Sequence, residues 1–152
     1  MRGEFMVRSA KADDIPQLCG LLSELFSIES DFIPDKEKQA QGLKLLLNDK
    51  TGSSLVFVAE KDDEIIGMCS VQILISTAEG GPVGLLEDLF VRKDHRGRGI
   101  GTKLLSEIFR WCDTKNISRL QLLRDVDNEH ALKFTLAKAG ENTNLVCMRK
   151  RF

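Results

Sequence analysis

The stretch Arg96-Gly97-Arg98-Gly99-Ile100-Gly101-Thr102-Lys103 lies between a predicted strand and a predicted amphipathic helix. Glycines let backbone N–H groups approach an anion closely, and the first turn of the helix adds unpaired donors and the positive end of its dipole. Positive charge is supplied by Arg92, Lys93, Arg96, Arg98 and Lys103. The stretch therefore predicts a binding loop for a phosphate or pyrophosphate group.

Two better-known glycine loops fit this stretch less well. A Walker loop requires lysine after its last glycine, whereas Thr102 follows Gly101 here. A dinucleotide fingerprint requires its third glycine one position later, and it does not tolerate a charged run such as Arg92 to Arg96 after the strand. A glycine-rich turn under a solvated basic patch is the remaining alternative.

The hydrophobic pattern around the loop predicts an α/β domain with a mixed sheet. Strands are predicted over Phe5–Arg8, Ser54–Glu60, Glu64–Ile75, Val83–Val91, Ser118–Leu123 and Leu145–Lys150. Helices are predicted over Ile15–Phe26, after Asp35 through Ala40 and Leu47 to an end at Asn48, over Gly99–Thr114 and over Asn128–Lys138. The strand–helix–strand unit from Leu85 to Leu123 predicts a parallel crossover. We expect one domain over residues 5–152.

Composition describes an ordinary globular chain and disfavours several classes of protein. The 152 residues are 42% hydrophobic with a formal net charge of -1, which argues against a nucleic-acid coat. The longest apolar run, Leu55–Ala59, is far shorter than the roughly 18 residues of a membrane span, and no export signal is visible. Four scattered cysteines, without a CxxC pair, predict reduced thiols, no metal site and a cytoplasmic protein.

The pattern Arg96-x-x-Gly99-x-Gly101 after a strand resembles the acyl-CoA pyrophosphate loop of the GNAT N-acetyltransferase superfamily. Further motifs of that superfamily have counterparts at Asp13-Asp14-Ile15-Pro16, at Gly67, at Leu86-Glu87-Asp88-Leu89-Phe90-Val91 and at Asn128-Glu129-His130-Ala131-Leu132-Lys133-Phe134-Thr135. The resemblance covers the chain from Phe5. It implies a single GNAT-like domain with splayed central strands flanked by helices.

The resemblance also implies that acetyl-CoA is bound as the acyl donor. Its pantetheine arm would enter between the strands Val83–Val91 and Ser118–Leu123, which separate in this superfamily. The arm would pair with the backbone of Leu89, Phe90 and Val91, whose side chains are equally well explained as core.

The same resemblance implies which residues contact the pyrophosphate and the rest of the pantetheine arm. The pyrophosphate would be held by backbone N–H groups of Arg96, Gly97, Arg98, Gly99, Ile100, Gly101 and Thr102. Asn128 would hydrogen-bond the arm, although it also fits a simple helix N-cap. Phe134 would pack beside the arm, although it also fits a core phenylalanine.

The implied reaction is transfer of an acetyl group from acetyl-CoA to an amine, with a small molecule as the expected acceptor. A backbone N–H near Leu89 would stabilise the oxyanion, and Glu87 is the candidate base. The segment around Glu87 is similar to that of spermidine/spermine acetyltransferases, where the glutamate is thought to have this role. Alternation places Asp88 on the opposite face of the strand. A structural ion pair is the alternative for Glu87.

One departure from the superfamily keeps a non-enzymatic interpretation open. The superfamily often has a tyrosine one residue after the position of Phe134, as the acid for the leaving thiolate, but Thr135 stands there and the chain contains no tyrosine. Gly140 also falls one residue later than the pattern expects. The alternative is a non-catalytic acyl-CoA-binding or regulatory domain.

The acceptor is the least determined part of this interpretation. The loop expected to cover it, Glu29 to Asp35, holds three carboxylates, which favours a cationic acceptor such as a polyamine or amino sugar. A solvated charged loop explains the same residues, and protein N-termini or lysines stay open as acceptors. We expect no nucleic-acid or membrane partner, and a homodimer is left open.

Overall fold

The computed structural model describes residues 4–138 and 140–152, which divide into two compact units after Leu122. The first unit contains β1 (Met6–Ser9), α1 (Ile15–Ile28), α2 (Lys36–Leu47), β2 (Ser54–Lys61), β3 (Glu64–Ser76), β4 (Gly81–Val91), α3 (Ile100–Thr114) and β5 (Leu120–Leu122). The second unit contains α4 (Glu129–Lys138). No helix within the described ranges is long and apolar enough to cross a membrane.

The sheet of the first unit is mixed, as predicted. Its strands follow the order β1-β2-β3-β4-β5. The first four pair antiparallel, and β4 pairs with β5 in parallel. Because parallel neighbours need a long crossover, α3 occupies the connection between them.

Helices cover both faces of this sheet. One face packs against α1 and α2 in a core of Leu18, Cys19, Leu21, Leu22, Leu43, Val56, Val58, Ile65, Met68 and Phe90. On the other face Gly67 lies against the side chains of Ile100 and Leu104 of α3. The apolar stripe of α3 recurs at helical spacing, so one side of that helix is buried in this contact.

A β-bulge interrupts β4 near its end. Met68 pairs with Phe90 but Ser70 pairs with Glu87, so β4 has one residue more than β3 over this interval. Asp88 lies within it and has a φ of 55°, a left-handed conformation that aspartate tolerates better than most residues. The bulge shifts the alternation of β4 by one position.

The sequence prediction is wrong at the end of the chain. Leu145–Lys150 is not a strand, and residues 140–152 contain no helix or strand. Leu145, Val146 and Met148 are exposed there. Their composition favours a strand, but a strand also requires a neighbour to accept its backbone hydrogen bonds, and none pairs with these described residues. The single domain over residues 5–152 stays a prediction.

Substitution of Gly67 tests the packing between β3 and α3. A Cβ there would meet the Phe90 carbonyl oxygen at 3.2 Å and the Ile100 side chain at 3.3 Å. We expect Gly67→Ala to lower the free energy of unfolding by about 1–3 kcal/mol in urea titrations, because the carbonyl belongs to a fixed strand.

Gly42 provides the matched control for this measurement. It lies in α2 with nothing within 4 Å of an added Cβ. Gly42→Ala should therefore raise the free energy of unfolding by about 0.5–1 kcal/mol, since alanine favours helix. Equal effects of the two alanines would contradict the packing described for Gly67.

Candidate active site

Strands β4 and β5 remain paired over a short distance. The parallel ladder contains three residue pairs and ends at Leu86 and Leu122. From Glu87 to Val91, β4 continues beside β3, and no described strand pairs with its other edge. The separation of the two strands therefore agrees with the expected splay.

The bulge determines which backbone groups face this open edge. Arg92 N–H donates to the Ile66 carbonyl of β3 at 3.0 Å, and backbone direction alternates along a strand. Phe90 therefore faces β3 as well, whereas Leu89 and Val91 direct their N–H and C=O groups to the open side. This is the orientation that the predicted oxyanion contact at Leu89 requires.

The glycine loop follows β4 after the short 3-10 turn Lys93–His95 and ends at α3. Gly97 and Gly99 have φ values of 74° and 81°, and Gly99 is the N-cap of α3. These left-handed conformations favour glycine, because a Cβ would crowd the backbone. In the first turn of α3, the N–H groups of Ile100, Gly101 and Thr102 have no partner within the helix. The loop thus presents an arc of donors at a helix N-terminus, which suits an anion.

Several cations of the loop already have partners. Arg92 forms ion pairs with Glu64 and with Asp94, the second at 3.5 Å. Lys103 pairs with Glu107 at 3.0 Å. The charge available to an anion is therefore smaller than the count of basic residues suggests, and the backbone donors carry more of the binding.

Arg96 connects the loop to β4. Its Nε donates to the Val91 carbonyl at 2.8 Å, and its guanidinium lies 5.3 Å from the centre of the Phe90 ring. Arg98 donates to the Asp94 carbonyl at 3.1 Å. These two side chains donate to carbonyls of the protein itself, so the predicted contacts of Arg96 and Arg98 with pyrophosphate are those of their backbone N–H groups.

A polar cluster of Ser70, Glu87 and Asp88 lies at the bulge. Ser70 is the cross-strand partner of Glu87, so both side chains lie on the face that packs against α1 and α2. The Ser70 hydroxyl is 3.3 Å from Asp88 Oδ2 and 3.2 Å from the Glu87 carbonyl oxygen. Both carboxylates therefore share one face. The expectation that Asp88 lies opposite Glu87 is wrong, because the bulge breaks the two-residue alternation.

The two carboxylates differ in environment. Glu87 is exposed. Burial, helped by the like charge of Glu87, raises the pKa of Asp88 to about 6, against the opposing effect of the Ser70 hydrogen bond. Cys69, beside Ser70, is fully buried, and burial raises the pKa of its thiol to about 12. Asp88 therefore changes protonation close to neutral pH.

An open groove of about 280 Å3 lies further along β4, around Val83 and Leu85. Its lining includes Leu74, Ser76, Val83, Leu85, Arg119 and Gln121. Leu85 and Gln121 are cross-strand partners. Because Leu85 is two residues before Glu87 in the same strand, the side chains of Leu85, Gln121 and Glu87 lie on the same face of the sheet. Sequence reasoning missed Arg119 and Gln121, although alternation along Arg119-Leu120-Gln121-Leu122 places both on one face.

One carboxylate of the segment between α1 and α2 accepts hydrogen bonds from the protein itself. Asp35 caps α2 by accepting from the N–H groups of Glu37 and Lys38, both at 3.1 Å. Buried Gln39 accepts from the Asp35 N–H at 2.8 Å and donates to the Cys19 carbonyl of α1, also at 2.8 Å. Asp35 is therefore accounted for structurally, which weakens its use as a contact for a cationic acceptor.

The second unit contains the remaining predicted site residues. Asn128 caps α4, its Oδ1 accepting from Ala131 N–H at 2.9 Å. The Thr135 hydroxyl donates to the carbonyls of Ala131 and Leu132, at 2.8 and 3.1 Å. Phe134 is half-buried. The roles of Asn128 and Phe134 toward a pantetheine arm stay predictions.

The protonation state of Asp88 makes the free energy of unfolding depend on pH. Its folded pKa, about 6, is above its ordinary value of 3.8, so the folded state favours the protonated form. The stability gained by protonation is complete below about pH 4 and is lost as the pH rises through 6. We expect Asp88→Asn to raise the free energy of unfolding at pH 7 by about 1–3 kcal/mol, with a smaller gain at pH 4.

Asparagine keeps the left-handed conformation and can accept from Ser70. The control is Asp62→Asn in the exposed β2–β3 turn, where φ is 50°; it should change stability by less than about 0.5 kcal/mol. A less stable Asp88→Asn at pH 7 would show that the charged form is the favoured one.

Known proteins with similar sequences are acetyltransferases. An uncharacterized N-acetyltransferase from Archaeoglobus fulgidus is 28% identical over 131 residues, covering 84% of this chain and 87% of that protein. Aminoglycoside N(6')-acetyltransferase type 1 from Salmonella typhimurium is 29% identical over 122 residues, covering 78% and 82%.

A solved structure and a family model agree with these relatives. Aminoglycoside N-acetyltransferase AAC(6')-Iy in complex with CoA has a TM-score of 0.84 and 19% identity, covering 99% of this chain and 97% of that one, which bears on the fold alone. The model described as the acetyltransferase (GNAT) family matches residues 17–140. Because that match spans most of the sequence and the fold agrees with it, the chain belongs to the acetyltransferase (GNAT) family.

Proposed function

We propose that the chain is an N-acetyltransferase that transfers the acetyl group of acetyl-CoA to the amine of a small molecule. The observation that carries this proposal is the open edge of β4 at Leu89 and Val91, followed after one short turn by a glycine loop that leads into a helix N-terminus. Membership in the acetyltransferase family supports the reaction. The relatives' names support an amine acceptor for those proteins, and by extension for this one.

Acetyl-CoA fits this arrangement at two places. The outward N–H groups of Leu89 and Val91 and the Leu89 carbonyl match the amide groups of a pantetheine arm, which pair with a strand edge. The loop donors between Arg96 and Thr102 match a pyrophosphate. The Arg96 side chain holds the Val91 carbonyl at 2.8 Å, so it fixes the loop to the strand edge before any ligand arrives.

The chemistry that we propose uses the backbone and one carboxylate. The Leu89 N–H stabilises the thioester oxygen as it becomes anionic when the amine attacks. Glu87, exposed on the groove face, takes the proton that the amine loses, directly or through water. Asp88 does not replace it in this proposal, because it is mostly buried and lies against Ser70; its charge state tunes the field around Glu87.

One observation favours the non-catalytic alternative. The Thr135 hydroxyl is directed to carbonyls of its own helix, so it is not presented as an acid for a leaving thiolate. A CoA thiol with a pKa of about 8.5 can leave unprotonated, which is why we favour the enzyme. An acyl-CoA-binding domain without turnover is the second candidate.

Gly101→Val tests the pyrophosphate loop. A branched side chain in the first turn of α3 would block backbone donors from a phosphate. We expect calorimetry to show at least ~10-fold weaker acetyl-CoA binding, corresponding to about 1.4 kcal/mol. Ser106→Val, at an exposed position five residues further along α3, is the control for a branched residue in this helix. Unchanged affinity in a folded Gly101→Val protein would refute the loop assignment.

Glu87→Gln tests the proposed base. Removing the proton acceptor should lower kcat by ~10²- to 10⁴-fold and remove the acidic limb of the pH–rate profile, while acetyl-CoA affinity stays unchanged. Asp88→Asn is measured in the same way. The acidic limb of its pH–rate profile should persist, with a shifted midpoint. If the limb disappears in Asp88→Asn and survives in Glu87→Gln, then Asp88 is the base.

A further inference from the structure

Ser70 is a buried residue of β3 whose hydroxyl contacts two consecutive residues of the β4 bulge. Only 2% of its surface is exposed. The hydroxyl oxygen lies 3.2 Å from the Glu87 carbonyl oxygen and 3.3 Å from Asp88 Oδ2. A hydroxyl has a single proton to donate, and these nearly equal distances agree with a proton that the two oxygens share. Ser70 therefore links β3 to both halves of the bulge.

The two contacts lie on opposite sides of one rotatable bond. The Glu87 carbonyl belongs to the peptide plane that ends at the Asp88 nitrogen, whereas Oδ2 is attached through the Asp88 Cα. The bond between that nitrogen and that Cα defines φ of Asp88, which is 55°. Because one hydroxyl holds a group on each side of this bond, Ser70 restrains φ in a left-handed conformation that few residues other than glycine adopt.

This restraint reaches the backbone group that the proposed reaction needs. The Leu89 N–H belongs to the peptide plane that follows Asp88, so a change in φ of Asp88 turns this N–H relative to β3. We propose that Ser70 is a positioning residue, whose hydroxyl holds the bulge so that the Leu89 N–H is directed at the thioester oxygen. The inference rests on the proposed function, in which that N–H stabilises the oxyanion. A misplacement of ~1 Å can lower a rate by ~10²-fold, so control of one dihedral angle is sufficient.

The titration of Asp88 reports on the same contact. Burial and the charge of Glu87 raise the pKa of Asp88 to about 6, and the hydrogen bond from Ser70 acts in the opposite direction. The neighbouring Cys69 thiol does not titrate in this range, because burial raises its pKa to about 12. Loss of the Ser70 hydroxyl should therefore raise the pKa of Asp88 further.

The kinetics of Ser70→Ala test the inference, with the polyamine spermidine or the amino sugar glucosamine as acceptor and CoA release as the signal. We expect kcat to fall by ~10- to 10²-fold, because the Leu89 N–H loses its direction. The affinity for CoA, which has no thioester carbonyl, should stay unchanged in calorimetry. Ser70→Thr keeps the hydroxyl and should recover most of the rate. If its extra methyl group prevents folding, Ser70→Cys, with a weak S–H donor, should give an intermediate rate.

Ser54→Ala is the matched control. The Ser54 hydroxyl also lies near one carbonyl and one carboxylate, at 3.0 Å from the Leu46 oxygen and 3.1 Å from Asp49 Oδ2. It belongs to β2, which does not pair with β4. Its removal should lower the melting temperature about as much as Ser70→Ala does, but leave kcat unchanged. Equal falls in kcat in the two variants would mean that general destabilisation is the cause, and would overturn the inference.

The pH dependence of stability provides a readout that does not need turnover. The stability gained by protonating Asp88 is lost as the pH rises through its pKa, about 6 in the unaltered protein. In Ser70→Ala this loss should occur at higher pH in urea titrations. An unmoved midpoint, or an unchanged kcat, overturns the inference and leaves the proposed function standing. If the unaltered protein acetylates no amine, the proposed function fails, and the role of Ser70 fails with it.

Discussion

One extra residue in β4 is the constraint on which the candidate site depends. The segments of β4 before and after the bulge at Asp88 both pair with β3, but the bulge reverses which residues direct their backbone groups toward β3. Without it, the outward groups at the strand end would belong to Phe90 rather than to Leu89 and Val91. The bulge also brings the carboxylate of Asp88 to the face of Glu87. One irregularity of β4 therefore determines both the outward backbone groups and the pair of carboxylates.

The edge of β4 that carries these outward groups is not paired with β5, because the ladder between the two strands ends at Leu86 and Leu122. A central strand with an unpaired edge would normally be unfavourable, because its backbone groups must find partners. Here Arg96 occupies the Val91 carbonyl, and the loop that carries Arg96 also carries the backbone donors. The strand edge, the loop and the N-terminus of α3 are therefore linked through Arg96, and the path from β4 to α3 sets their relative positions.

Much of this arrangement could be predicted from the sequence, and the failures have physical causes. The glycine loop, the helix that follows it and the mixed sheet follow from spacing and periodicity, which are local. The bulge was missed because alternation counting assumes a period of two, and Asp88 gives no signal of its left-handed conformation. The strand predicted at Leu145 was wrong because composition cannot supply a partner. Arg119 was overlooked because a charged residue next to a short strand is easily taken for a solvated one.

The burial of Cys69 has a consequence for the chemical labelling of the protein. Of the four cysteines, Cys19, Cys69 and Cys112 are buried and Cys147 is exposed. Cys69 has no exposed surface, and burial raises the pKa of its thiol to about 12, so it neither captures an acyl group from a thioester nor reacts readily with alkylating reagents. A thiol-directed fluorophore would attach to Cys147, giving a single reporter position without any cysteine having to be removed.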